Sequence, residues 1–300
     1  MNQAADYDPI GLRVMGNLLE SVAEEMGTAL ERSGVSPNIK ERRDYSCAIF
    51  DANAELVAQA AHMPVHLGAM PISVSAAQQQ CPLLDGDIVI LNDPRLGGTH
   101  LPDITTVQAF RIGPKDEKPL AYLATRAHHA DVGGSVPGSM GITSSLEEEG
   151  IVISPITWVQ GGDRLDEVEH KYLGPMRNYD ERIGDLLAQR AALEVGQRGL
   201  RRIIERIGAP DLQQGFHRLQ DSAEKHARSL LRQIPDGTYE AVDYLDDDGF
   251  GASDLKICVA IEIKGDSARF DFSGTAKACK GTLNCNAAVV FAAVEYLIRC

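Results

Sequence analysis

The sequence has no GxxxxGK[ST] phosphate loop, no GxGxxG turn behind a strand, no GxSxG nucleophile elbow and no HExxH helix. If nucleotide energy is used, another polypeptide or a missing portion must bind the nucleotide. The six cysteines (Cys47, Cys81, Cys258, Cys279, Cys285 and Cys300) form no CxxC pair. That argues against a zinc ribbon or disulfide framework and for reduced, buried thiols; Cys279 and Cys285 alone are close enough to suggest a clamp. Positive charge is short: 29 Lys+Arg against 43 Asp+Glu leave a net charge of −14. This is the wrong sign for general binding to nucleic acid or an anionic membrane. No apolar run approaches the roughly 18–20 residues of a transmembrane helix. The opening Met1-Asn2-Gln3-Ala4-Ala5-Asp6 has neither a basic n-region nor an apolar h-region. A cytoplasmic chain is expected, with no nucleic-acid or membrane partner.

What is present is an ordinary globular composition: 300 residues, 44% hydrophobic and 24% charged, enough for a real core. A helix is expected over about 9–33, where Ile10, Val14, Leu18, Val22, Met26 and Leu30 recur every four residues. Ser46–Phe50 and Glu55–Ala58 read as a hairpin, and a second helix fits 68–81. Strands follow at Asp87–Leu91, near 104–112 and at 119–126, the last two around the turn Gly113-Pro114-Lys115-Asp116. The Gly-, Ser- and Pro-rich stretch 131–162 reads as a long functional loop. Residues 178–207 form a helix with Ile183, Leu186, Leu187, Ala191, Val195, Ile203 and Ile207 inward. Its run of charge, Arg182 and Asp185 included, reads as a solvated face. Another helix covers about 211–233, and a meander of strands (238–245, 255–263, 268–272) precedes an apolar helix from Ala287. The fold class is α+β. A mixed α/β region (1–175) carries the site, a helical segment (176–234) follows, and an antiparallel region with the start of a helix (235–300) is expected to be incomplete.

Five of the eight histidines fall within residues 62–129. Clustering of near-neutral, metal-ligating side chains beside carboxylates is the main chemical signal. In Asn92-Asp93-Pro94-Arg95-Leu96-Gly97-Gly98-Thr99-His100-Leu101-Pro102-Asp103, a strand ends, two glycines follow, and an imidazole and a carboxylate stand three apart. Pro102 argues against a helix there, so the pair sits on a turn that could supply a two-ligand arm or simply be capped. Arg126-Ala127-His128-His129-Ala130-Asp131 closes another strand. Alternation sends His128 and His129 to opposite faces, so only one of them should share a site with Asp131. Two such segments together favour a site for Mn, Fe or Zn over hydrogen-bonded structural histidines. His62-Met63-Pro64-Val65-His66 either lines that site or is structural. Asn38 to Asp44, a dense mixed-charge stretch, either binds an anion or is an exposed connection.

These motifs together resemble the hydantoinase B/oxoprolinase family. The matching residues are Asn38-Ile39-Lys40-Glu41-Arg42, Asp44-Tyr45-Ser46-Cys47-Ala48, His62 to Gly68, Asn92-Asp93-Pro94, Gly97 to Asp103, His128 to Gly134, Pro137-Gly138, Phe272 to Thr275 and Gly281 to Asn284. Members are typically longer, so the chain is expected to be the amino-terminal part of one.

The resemblance implies a subunit of a hetero-oligomer that works beside a hydantoinase A-type ATPase. The partner binds ATP and phosphorylates an amide or enol oxygen, and this chain opens a small cyclic amide. In related acetone and acetophenone carboxylases the step is carboxylation of an enolate instead, which is the alternative reading. A third possibility is a non-catalytic assembly or binding subunit. By the same likeness the metal ligands are His100, Asp103 and His128, with His129 the alternative third ligand and Asp131 a fourth or outer group. Asp131 or His129 would act as base on water. Arg126 or Lys40 would hold phosphate or carboxylate, and His62 and His66 would line the pocket.

Overall fold

The computed structural model describes residues 9–60, 62–66, 68–113 and 118–300. The opening residues 1–6 and Pro114, Lys115 and Asp116 of the expected turn lie outside them. The described residues contain ten strands: β1 (Tyr45–Asp51), β2 (Leu56–Gln59), β3 (Ile88–Leu91), β4 (Asp103–Phe110), β5 (Ala121–His128), β6 (Ile156–Gln160), β7 (Asp163–Arg164), β8 (Gly237–Asp247), β9 (Ser253–Lys264) and β10 (Ser267–Asp271). Five long helices accompany them: α1 (Pro9–Ser33), α2 (Met70–Gln80), α3 (Tyr179–Ile207), α4 (Ala209–Leu231) and α5 (Ala287–Arg299). The fold is α+β.

Seven strands form one antiparallel sheet in the order β2-β1-β5-β4-β3-β6-β7. Alternation along the strands divides its core in two. Cys47, Ile49, Ile104, Leu123 and Ala127 join the cluster built with α1 and α3. Ala48, Phe50, Val107, Tyr122 and Ala124 pack with Met70, Val74 and Ala77 of α2. Because helices cover both faces, β1 and β4 are buried along their whole length. Burying one large apolar side chain in such layers contributes roughly 1.5–3 kcal/mol. α3 packs closely on α1 at Gly199, where a Cβ would stand 2.7 Å from Val22 Cγ1.

Three expectations need correction. The apolar stripe of α1 is Met15, Leu19, Val22, Ala23, Met26 and Leu30, while Ile10 and Val14 are exposed. A strict four-residue repeat drifts about 40° per step on a helix of 3.6 residues per turn, so its early members rotate off the buried face. On α3, Leu187 is exposed, and Arg182, Asp185 and Gln189 are buried. Asp185 lies inside because its Oδ1 accepts the backbone N–H groups of Val35 and Ser36, at 2.9 and 3.0 Å. Arg182 pairs with Asp185 and with Glu181. Finally, 131–162 is not all loop: it holds a helical turn (Leu146–Glu149) and β6, which pairs with β3. The β-formers Ile156, Thr157, Trp158 and Val159 were masked by the glycines and prolines around them.

β8, β9 and β10 form a separate three-stranded antiparallel sheet in the order β10-β9-β8. The chain then returns to the large sheet. At Gly68 a Cβ would lie 2.5 Å from the backbone nitrogen of Ala292 in α5. Among the described residues no helix is long and apolar enough to cross a membrane.

Candidate metal centre

The β3–β4 connection is pinned at several points. The Asp93 carboxylate accepts the Arg95 backbone N–H at 3.0 Å and opens a one-turn 3-10 helix, and Gly97 follows in the left-handed region at φ 91°. Asn92 donates from Nδ2 to Leu101 O (2.7 Å) and Ile151 O (3.0 Å), and its Oδ1 accepts the Ile153 N–H (2.6 Å). Asn286, ahead of α5, donates from Nδ2 to Gly98 O and Thr99 O, both at 3.0 Å. His100 emerges from this braced loop, and Asp103 begins β4.

The ladder does the rest. Asp103 stands opposite His128 in the β4–β5 register, on the α2 face of the sheet. His100 Nε2 lies 3.0 Å from Asp103 Oδ1 and 3.1 Å from His128 Nδ1, and His128 Nδ1 lies 3.5 Å from Asp103 Oδ1. The Asp103 side chain is 4% exposed, that of His128 12% and that of His100 37%, so the cluster opens to solvent past His100. Asp103 Oδ2 is occupied by Thr99 Oγ1 and by His66 Nε2 at 3.3 Å. Ser46 Oγ, 2.8 Å from His66 Nδ1, donates to it if His66 donates from Nε2 to Asp103. Oδ1 differs: it is buried, and among the described residues no group gives it a hydrogen bond of good geometry. Two ring nitrogens and one bare carboxylate oxygen therefore face a common point.

That geometry fits a cation. Bonds of about 2.1 Å at 90–109° place neighbouring donors roughly 3.0–3.4 Å apart. The three observed separations, 3.0, 3.1 and 3.5 Å, bracket that range. Burial opposes ionisation of Asp103, but His100, His128 and His66 outweigh it and hold the carboxyl well below the usual carboxylate range. Burial likewise works against a charged His100, and Asp103, helped by Asp44, outweighs it and raises the imidazole above its ordinary value.

Asp44 is the residue that sequence reasoning missed. Its Oδ2 lies 3.6 Å from His128 Nδ1, and donor atoms of Asp44, His66 and Asp103 gather in the same way as those of His100, Asp103 and His128. The available signal was register: Tyr45 pairs with Ala127, so residue 44 falls beside His128. Asn286 was missed as well, since its contact crosses 188 residues of sequence.

The other candidates separate from this cluster. His129 points to the opposite face, is fully buried, and has Nε2 3.0 Å from Gln189 Oε1. Burial pushes its pKa down to about 4. Asp131 is held by the backbone N–H groups of Gly133 (2.9 Å), Gly138 (3.0 Å) and Arg177 (3.1 Å) and by Arg177 Nη1 (2.9 Å). A carboxylate so engaged organises its loop and has no lone pair to spare for water. Arg126 shares the face of Asp103 and His128 but is fully buried, donating to Thr105 Oγ1, Ser73 Oγ and Gly97 O, each at 2.8 Å. Burial lowers its pKa to about 10. It ties β4, β5, α2 and the Gly97 loop together. His62 accepts the Cys47 N–H on Nδ1 at 3.2 Å and packs edge-on against Tyr45, over Gly27 of α1. Lys40 is exposed at the end of the turn Pro37–Lys40.

The hydantoinase B/oxoprolinase family model matches residues 8–300. The chain belongs to this family. It is 35% identical to the 5-oxoprolinase of Saccharomyces cerevisiae over 98% of its own length, and 34% identical to caprolactamase subunit beta of Pseudomonas jessenii over 87%. It spans 24% and 45% of those proteins, respectively. The crystal structure of the ATP-dependent caprolactamase from Pseudomonas jessenii superposes with a TM-score of 0.89 at 30% identity, covering 97% of this chain and 50% of that one. Acetone carboxylase in its nucleotide-free form shares the fold, with a TM-score of 0.86 at 17% identity over 98% of this chain and 41% of the other.

Proposed function

We propose that the chain is the metal-dependent part of an ATP-dependent cyclic amidohydrolase of the hydantoinase/5-oxoprolinase type. His100, Asp103 and His128 would hold one divalent Mn, Fe or Zn ion, with the Asp44 carboxylate beside His128 adding negative charge next to it. The observation that carries this reading is Asp103 Oδ1, buried, without a hydrogen bond among the described residues, and faced by two imidazole nitrogens at 3.0 and 3.5 Å. A cation there supplies Lewis acidity at the carbonyl to be opened.

The chain's own residues prepare the place. Thr99 and His66 occupy Asp103 Oδ2 and so turn Oδ1 toward the imidazoles. Arg126 holds the Gly97 backbone, and Asn286 holds Gly98 and Thr99, which fixes the arm bearing His100. With His100 at the exposed rim, the amide would approach from that side. A hetero-oligomeric, hydantoinase A-type ATPase is the partner in this reading. Its support is the ATP dependence and the subunit name of the caprolactamase relative, together with the missing phosphate loop here.

Elemental analysis of the purified protein tests the centre: about one transition metal per chain is expected, and His100→Ala should abolish it. Metal content unchanged in that variant would sink the assignment. Assay with the partner and ATP then tests the reaction. Ring opening without incorporation of labelled bicarbonate is the expected product pattern, and incorporation would mark a carboxylase.

A further inference from the structure

Directly behind the cluster, on the α3 face of the sheet, lies a polar group that the proposed chemistry leaves unused. The Gln189 side chain is fully buried and has three partners. Nε2 donates to Ile104 O at 2.9 Å and to Thr125 Oγ1 at 3.1 Å, and Oε1 lies 3.0 Å from His129 Nε2. With both amide hydrogens committed, Oε1 accepts, and His129 therefore carries its proton on Nε2. Ile104 adjoins Asp103, and His129 adjoins His128. One helix side chain thus grips both strands at the residues next to two of the three donors.

The grip falls where the ladder needs it. The β4–β5 register ends at the Asp103–His128 pair, beyond which one backbone bond, His129 N–H to Pro102 O at 2.8 Å, continues the pairing, and strand ends open first. A metal site has to be kept within about 0.5 Å of its working geometry. Backbone pairing at a terminal rung does not guarantee that alone.

We propose that Gln189 and His129 form a positioning pair for the metal centre, acting as an extra rung that fixes the spacing of Asp103 and His128. This rests on the metal-centre reading above. The pair touches neither metal nor substrate. Its neutral amide suits the task, because a carboxylate at position 189 could accept from His129 but could not donate to Ile104 O.

The test is cobalt(II) titration of the whole protein, followed by affinity and by the visible absorption spectrum, which reports ligand geometry. Gln189→Met keeps length and loses all three hydrogen bonds. It is expected to weaken cobalt binding by about 10–100-fold, as loss of outer partners does elsewhere, and to alter the spectrum. His129→Leu should do the same, and His129→Gln, which retains a donor toward Gln189, should recover much of the affinity and the native spectrum. Wild-type affinity and an unchanged spectrum in Gln189→Met overturn the positioning pair while leaving the metal centre standing. A wild-type protein that takes up no cobalt sinks both. Should Gln189→Met fail to fold, the two His129 variants decide by the same readouts.

Discussion

His100→Ala separates metal binding from folding. The side chain is 37% exposed, so its removal leaves no enclosed cavity. Asp103 keeps Thr99, His66 at 3.3 Å and His128 at 3.5 Å. The metal-free variant should therefore lose only about 1 kcal/mol of stability, the size of one partly exposed polar contact. With metal the difference grows. At a metal concentration 100 times the wild-type Kd, mass action stabilises the native protein by about 2.7 kcal/mol. If the variant binds 100-fold more weakly, the same concentration gives it only about 0.4 kcal/mol. For a chain of this size each kcal/mol moves the Tm by roughly 2–4 °C, so metal should raise the wild-type Tm by about 5–10 °C and the variant's by about 1–2 °C. Differential scanning calorimetry with metal and with chelator measures this directly. An equal metal-induced shift in both proteins would refute the assignment of His100 as a donor.

Gly27→Ala places a Cβ 2.6 Å from His62 Cε1 and Nε2, so a net loss of about 1–2 kcal/mol in urea unfolding is expected even after the helix-propensity gain. A stabilised variant would show that His62 does not pack there. Burial opposes ionisation of Asp131, but donors from Arg177, Gly133 and Gly138 outweigh it, and the folded pKa lies below the ordinary carboxylate value. Its contribution is therefore present above pH ~4 and lost as the pH falls through the depressed folded value. Asp131→Asn should cost about 1–2 kcal/mol at pH 7, and its stability should converge with that of the wild type in acid; a pH-independent difference would contradict the pairing. Burial raises the Cys47 thiol above its ordinary pKa, while Cys285 and Cys300 are exposed. Mass spectrometry after brief alkylation should find Cys47 unmodified until the chain unfolds, and the exposed Cys285 labelled ahead of it.

The sequence carried the fold where periodicity was local. The β1–β2 hairpin, the helices beginning at Pro9 and near Tyr179, and the β8–β10 meander were legible from side-chain alternation or helical spacing alone. Errors arose where packing against a second element decided the outcome. The buried face of α3 includes Asp185 and Gln189 because each has a partner on another element: Asp185 caps the Val35–Ser36 turn, and Gln189 reaches Ile104 O, while Arg182 goes inward as the ion-pair partner of Asp185. No pattern within a single helix contains that information. In β6, four β-forming residues were outweighed by the composition of a longer stretch.

The same division between local and distant information holds at the cluster. His100 and Asp103 are three apart, and strand alternation sends His128 and His129 to opposite faces, but spacing left open which of the two joins the pair. The family resemblance named His128, and the β4–β5 register sets it opposite Asp103. Asp44 and Asn286 required register and long-range contact. The arrangement is also economical in loop closure. Two donors come from a single antiparallel rung, and the third comes from the turn just ahead of that rung, so a single connection has to be ordered to complete the set. Asn92, Asn286 and Arg126 order it from three directions. A cation bound between His100 and the Asp103–His128 rung would then join the β3–β4 loop to the end of the ladder. Metal binding should therefore protect the amides of residues 97–103 and 128–129 against hydrogen exchange more than those of β8–β10, which lie in the other sheet.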